Sequence, residues 1–236
     1  MLFLLPPSET KSSGGGALSI DQVALTFGGL NQAREAALEA LGDRTLLTAP
    51  TMRALDRYTG TLYSALHGRG LKGSPTANNT LTQDESKRAK STVLIQSALF
   101  GLIPSTDLIP EYKVSPTKNL NGLNLKKLWS EAHLAIWPRL TGGLIIDLRS
   151  KAYAELAPIP DNIEHFTATV EVEYEDGSRA ALNHFNKKAK GQLVRSALTA
   201  KQPPETLADL KRCARRAGLK IEVSGSQLTI VTREAT

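Results

Sequence analysis

The sequence predicts a mixed α/β (α+β) fold, one domain over residues 1–236 with a mixed central sheet and flanking helices. Three observations carry that prediction. Leu2–Leu5 is a short, uninterrupted apolar run and residues 144–148 are apolar but for Asp147, the pattern of strands covered on both faces. Residues 166–174 instead alternate, with Val170, Val172 and Tyr174 set against Glu171, Glu173 and Glu175, as in a strand with one wet face. Between and after these runs, apolar residues recur every three or four positions, the spacing of amphipathic helices. At 236 residues and 41% hydrophobic composition, the chain can bury a substantial core.

Each element has a local reason. Strand Leu2–Leu5 is halted by Pro6 and Pro7, and it lacks both the length and the basic flank of a secretion signal. The polar loop behind it ends in Gly14, Gly15 and Gly16 and is expected to be mobile and able to cradle an anion. Residues 21–41 read as an alanine-rich helix with Asp21 as N-cap and Gly42 just past its end. Residues 51–66 read as a second helix, and the Gly, Pro and Asn content of 68–79 as a surface loop. A helix at 85–90, a buried strand at 92–95 and a proline-punctuated bend at 104–110 follow. Residues 123–136 place Leu125, Leu128, Trp129 and Ala132 at helical spacing, and Pro138 is expected to stop that helix. The alternating strand turns at Asp176-Gly177 and returns through Ala180 to Phe185. After a basic helix, Thr206 and Asp209 make a capping-box-like start for a last helix that turns Leu207, Leu210, Ala214 and Ala217 inward and stops at Gly218. Ile221/Val223 and Leu228/Ile230 form a closing hairpin.

Net charge is +6, and it is concentrated. Between positions 183 and 220, ten lysines and arginines face two acids, so that segment carries +8 and the remainder −2. Clustered cations suit a polyanion, whose condensed counterions they release. The densest part runs from Asn186 to Arg195, where Lys187, Lys188 and Lys190 crowd the expected first turn of a helix. That end of the helix dipole is positive, so each cation costs about 0.3–1 kcal/mol unless an anion lies opposite. On the helical wheel Ala189, Leu193, Val194, Ala197 and Leu198 cover one side and Lys188 and Arg195 the other, with Gly191 open to a close-approaching backbone. Lys190 falls inside the apolar arc, so it either snorkels to a ligand or meets an internal acid.

Several classes of function are excluded or disfavoured. Cys213 stands alone, which rules out an intrachain disulfide and a cysteine-rich zinc site and fits a reducing cytoplasm. No apolar run approaches the roughly 20 residues that span a bilayer, so no membrane partner is expected. His67, His133, His165 and His184 lack ligand spacing, and neither a metal nor a cofactor is expected. Aromatic residues make up 5%, and Trp129 and Trp137 fall on what reads as a core helix. Backbone-directed duplex binding therefore fits better than base stacking.

In chain order, residues 1–11, Tyr58-Thr-Gly-Thr-Leu-Tyr63, Leu99-Phe-Gly101 with 107–113, Leu128-Trp129, 145–153 and 185–195 resemble the blocks of the YaaA family of peroxide stress proteins. The resemblance implies a bacterial, YaaA-like single domain with a positively charged cleft and a helix-hairpin-helix-like element. It also implies binding to duplex DNA containing distortions and protection when peroxide and iron coincide. Two positions depart from the pattern: Pro104 stands where many members carry arginine, and Glu9 where lysine is common, with Lys11 two residues later.

The expected function is therefore that of a cytoplasmic, monomeric protein contacting double-stranded or distorted DNA mainly through phosphates, with no catalytic residue assigned and the question of an enzymatic activity left open. The contact set is Lys11, Lys187, Lys188, Lys190, Gly191 and Arg195, with Lys126 and Lys127 beside the glycine-centred turn 121–125, and Arg149 and Lys151 after an interior strand. The rival is an enzyme acting on a phosphorylated small molecule or nucleotide at Ser8, Glu9, Lys11, Asp147 and Lys188, where Asp147 reads either as a cap or as a site acid.

Overall fold

The computed structural model describes residues 1–69, 81–181 and 183–233. Most of the loop expected at 68–79 lies outside them.

The first strand is central because it is apolar on both faces. β1 (Leu2–Leu5) pairs in parallel with β3 (Val93–Ser97) on one side and β6 (Ile145–Asp147) on the other, Phe3 aligned with Val93 and Leu4 with Asp147. Beyond β6 come β7 (His165–Glu173) and β10 (Gln227–Arg233), also parallel. Antiparallel strands finish the sheet: β4 (Gly101–Pro104) beside β3, β9 (Lys220–Ser224) beside β10, and β8 (Arg179–Ala180) against the far end of β7. The order is β4-β3-β1-β6-β7-β10-β9, a mixed sheet. A separate ribbon pairs β2 (Met52–Arg53) with β5 (Leu108–Ile109).

Helices cover this sheet: α1 (Asn31–Leu41), α2 (Thr45–Thr48), α3 (Ala54–Arg57), α4 (Thr61–His67), α5 (Gln83–Thr92), α6 (Leu125–His133), α7 (Lys151–Ala154), α8 (Asn183–Leu198) and α9 (Leu207–Arg216). One core of buried residues extends from Phe3 to Ile230 and includes both tryptophans. Trp129 also donates its indole N–H to the Ala98 carbonyl at 2.9 Å.

Apart from the return strand after Gly177, the expected strands hold to within a residue or two, and Thr206 caps α9 with Asp209 in the reciprocal arrangement expected. The helix at 21–41 is shorter. Only 31–41 is α-helical, because Asp107 accepts from both the amide and the hydroxyl of Thr26 (2.8 and 2.7 Å), and Phe27 takes a left-handed φ of 58°. Ser19 rather than Asp21 precedes the short 3-10 turn at Ile20–Gln22. The helix at 51–66 is broken as well: Thr51 is tied to the Leu18 carbonyl, Tyr58 bridges to Lys11, and Gly60 at φ 92° separates α3 from α4. Pro138 begins a 3-10 turn, Trp137–Leu140, instead of ending a helix. The return strand after Gly177 spans two residues, and α8 starts at Asn183. Lys187, Lys188 and Lys190 therefore lie past the first turn, where the dipole term has fallen away.

His133 is buried between Trp129 and Trp137, ring centroids 5.8 and 5.7 Å away, and its Nδ1 donates to the Trp129 carbonyl at 2.7 Å. Burial pulls its pKa from 6.5 down to about 4. The native imidazole stays neutral while the unfolded chain takes up a proton near 6.5, so stability present above that pH is lost as pH falls toward 4, by about 3 kcal/mol in all. Urea midpoints at pH 7 and 4.5 should show this slope, and His133→Gln should reduce it.

Candidate functional site

The topology creates a site before any side chain is considered. From β1 the chain moves to β3 and β4 on one side and later enters β6 on the other, so β1 and β6 flank a point where the strand order reverses. Side connections leave in opposite directions there, and a crevice opens outside the carboxyl ends of the strands. A cleft of about 1110 Å³ lies at that place. Its base is the end of β1, where Pro6 and Pro7 cannot continue the ladder, together with Asp147 at the end of β6 and Arg149 just after it. One wall is Ser8–Thr10 with 59–63, a second is 151–155, and the third is 167–170 of β7 with Asn186, Lys187 and Lys190 of α8.

The first wall is stitched together by short polar bonds. Ser8 Oγ accepts the Thr59 amide at 2.9 Å, the Thr59 and Thr10 hydroxyls meet at 2.8 Å, and Tyr63 donates its hydroxyl to the Pro6 carbonyl at 2.8 Å. Behind it Tyr58, Tyr112 and Ser97 form a buried hydroxyl chain, 2.6 and 2.7 Å per link, with Ser97 Oγ accepting two backbone amides. Burial pushes the hydroxyls of Tyr58 and Tyr63 well up and that of Tyr112 to about 12, so the chain stays neutral.

The floor is ionic. Asp147 and Arg149 are 4% exposed each and form a two-pronged pair, Nε to Oδ1 at 2.9 Å and Nη2 to Oδ2 at 2.7 Å. Arg149 also donates to the Ala157 carbonyl at 2.9 Å and lies over the Trp137 ring. Lys190, 6% exposed, donates to the Leu148 carbonyl at 2.9 Å, and burial lowers its pKa to about 8 against the opposing pull of Asp147. Cleft charges are mixed: Arg149, Lys151, Lys187 and Lys190 against Glu9, Asp147 and Glu155.

The expected contact residues fall into two groups. Lys151 and Lys187 are exposed on the cleft walls, and Lys188 and Lys127 are exposed outside the lining. Lys126 is exposed but pairs with Glu155 at 3.2 Å. The other five are used by the fold. Arg149 and Lys190 are buried as described, so Lys190 takes the inward alternative. Gly191 has no room to spare: a Cβ there would lie 2.1 Å from the Leu62 carbonyl of α4. Its bare Cα serves helix packing instead of the approach of a sugar-phosphate. Arg195 donates to the Leu66 carbonyl at the end of α4, at 3.1 Å. Lys11 folds back onto the Ser8 carbonyl (3.2 Å) and the Tyr112 ring (4.4 Å), outside the cleft lining, and burial lowers its pKa to about 8. Of the rival set, Ser8, Glu9 and Asp147 line the cleft, while Lys11 and Lys188 do not.

Two structural expectations change. The glycine loop is exposed but pinned at its end, with the Gly16 amide on the Thr51 carbonyl at 2.8 Å and Gly15 against that carbonyl. The turn at Asn121 and Gly122 precedes α6, but residues 113–119 before it are not helical, and the Gly122 amide is taken by Asn119. Sequence reasoning gave no site role to Tyr153, Glu155, His165 or Thr59–Thr61, although Tyr153 and 59–61 lie in blocks that carry the family resemblance; the topology brings them all to the cleft. Among the described residues no group of three or more His, Cys, Asp or Glu side chains is placed to hold a metal, and no helix is long and apolar enough to cross a membrane.

Residues 1–224 match the family described as Peroxide stress protein YaaA. The chain belongs to this family. It is similar to a UPF0246 protein of Corynebacterium glutamicum, 35% identical over 254 residues covering 94% of this chain and 95% of the relative. A UPF0246 protein of Streptomyces coelicolor is 34% identical over 250 residues, covering 94% and 92%. One from Streptococcus gordonii is 27% identical over 162 residues, covering 66% and 59%. YaaA family membership supports a role in the peroxide stress response.

Proposed function

We propose that the protein serves the peroxide stress response by binding distorted DNA, taking one nucleotide unit into the cleft while exposed lysines hold the flanking phosphates. The observation that carries this reading is the cleft at the β1/β6 reversal, about 1110 Å³, with exposed Lys151 and Lys187 both in its lining. Ligand pockets of roughly 300–1,000 Å³ hold molecules of nucleotide size. An intact duplex is too wide for such a space, whereas a nucleotide turned out of the stack is not, and a distorted site lowers the cost of turning it out. Lys188, exposed beside Lys187 in sequence, adds to the cationic surface.

The test is fluorescence anisotropy with a fully paired duplex and one bearing an unpaired nucleotide, at two salt concentrations. The unpaired site should bind more tightly. Lys151→Ala/Lys187→Ala/Lys188→Ala should weaken binding at least about tenfold and flatten the salt slope by roughly 0.9 for each phosphate contact removed. Equal affinities for wild type and variant would refute the reading.

A second reading is favoured by the ionic floor: a free nucleotide or sugar phosphate turned over in the same cleft. Buried Lys190 beside Asp147, with its lowered pKa, is the kind of group that acid–base chemistry uses. A mononucleotide that raises the melting temperature when duplex DNA does not would select it.

A further inference from the structure

Phosphate binding leaves one group on the cleft floor without a task. A lysine that only neutralises a phosphate works best as a solvated ammonium, as Lys187 is placed to do. Lys190 leaves the same helix three residues later, on a neighbouring part of the same face, yet it is 6% exposed and still lines the cleft. Of its three possible donor bonds, Leu148 O accepts one at 2.9 Å. Asp147 is close enough to favour the charged form, but both its oxygens already bind Arg149, so it supplies a field and not a proton. Burial weakens the ammonium, and with a pKa of about 8 roughly a quarter of the side chain is free amine at pH 7.5, against about one part in a thousand for an ordinary lysine. Lys11 is lowered as far, but its Nζ rests on the Tyr112 ring outside the cleft lining.

We propose that Lys190 is a nucleophilic amine that condenses with the aldehyde of a phosphorylated sugar seated in the cleft, an inference resting on the reading of this cleft as a nucleotide-scale phosphate site. The Nζ lone pair attacks the aldehyde carbon, a C–N bond forms, and the carbonyl oxygen becomes a hydroxyl. That hydroxyl leaves as water with a proton from solvent, and the nitrogen is left as a protonated imine. The imine keeps one N–H to give to Leu148 O, so the buried hydrogen bond survives the reaction. Its positive charge stays in the field of Asp147, as the ammonium's did. Lys187, about one helical turn away, is positioned for the phosphate of the same sugar. Two sources share this chemistry: a base-free deoxyribose within DNA, whose ring opens to an aldehyde, and a free aldose phosphate.

Reductive trapping tests it. Wild-type protein is incubated with sodium borohydride and either a duplex carrying one base-free deoxyribose or ribose 5-phosphate, then mapped by peptide mass spectrometry. Binding of a duplex with a tetrahydrofuran residue, which has no aldehyde, is measured separately by anisotropy. The expected result is a reduced adduct on Lys190 at least tenfold above that on any other lysine. It should be absent in Lys190→Met and in Lys190→Arg, which keeps the charge and the donor, and present in Lys11→Met. Both Lys190 variants should still bind the tetrahydrofuran duplex. Binding of that duplex with no adduct, or with adducts spread over the exposed lysines, overturns the inference and leaves the DNA reading standing. An adduct from ribose 5-phosphate without duplex binding keeps the nucleophile and assigns the free sugar phosphate. Neither binding nor adduct removes both.

Discussion

Arg149→Met is expected to cost about 3–5 kcal/mol of folding stability, because it strands the Asp147 carboxylate, 4% exposed, without its bidentate partner. Against a typical total of about 5–15 kcal/mol, that is enough to leave a large fraction unfolded at 37 °C. Coulomb attraction inside a protein only offsets the removal of two ions from water, so the pair itself adds little. The penalty comes from breaking one half of it. The Arg149 amide still donates to Asp147 Oδ1 at 3.0 Å after the change, and Lys190 still lies nearby, which places the loss toward the lower end of that range. Adding Asp147→Asn should recover much of it. Urea denaturation of the two single variants and the double variant measures the coupling directly. A stable Arg149→Met protein that has lost only DNA affinity would show that this guanidinium reaches outward, as the sequence suggested, and that the pairing described for it is wrong.

Gly191→Ala should destabilise by about 3 kcal/mol, where helix propensity alone predicts a gain of about 1 kcal/mol. The sign decides between two accounts of the same residue. If the missing side chain leaves space for a sugar-phosphate, alanine strengthens α8 and weakens ligand binding. If it seats α8 on α4, the added Cβ falls 2.1 Å from the Leu62 carbonyl and 2.9 Å from the Ala65 Cβ, and backbone has to move. Interiors packed this closely have no slack for a methyl group. Gly177→Ala is the control: it meets nothing within 4 Å and carries only the strain of a φ of 81°. A raised melting temperature for Gly191→Ala would overturn the packing account.

The sheet was legible because its signals are local. Apolar runs marked β1 and β6, alternation marked β7, and the Thr206–Asp209 capping box marked α9. The two helices misread near the N-terminus lose residues to partners distant in sequence that periodicity cannot report, Thr26 to Asp107 and Thr51 to the Leu18 carbonyl, and the second is also broken by the Tyr58–Lys11 bridge and by Gly60 at φ 92°. For the site, the wheel placed Lys190 inward and the strand end flagged Asp147, and both reach the cleft. The cations Arg149, Arg195 and Lys11 were assigned to a ligand because composition counts charge without saying where a hydrogen-bond partner waits. Glu155 and His165 gave no motif at all and Tyr153 only closed a family block, since only the reversal of strand order brings their segments together.

The central position of β1 has a consequence for how the protein is made. Leu2–Leu5 leaves the ribosome before either of its hydrogen-bonding neighbours has been translated, with β3 beginning at Val93 and β6 at Ile145. Until then it is an apolar segment with both edges unpaired, the form of chain most prone to stick to other nascent chains. Closing such distant pairings is slow. Refolding from denaturant should accordingly lag behind that of helical proteins of similar size, and chaperone dependence during synthesis should trace to these few residues rather than to the basic helix.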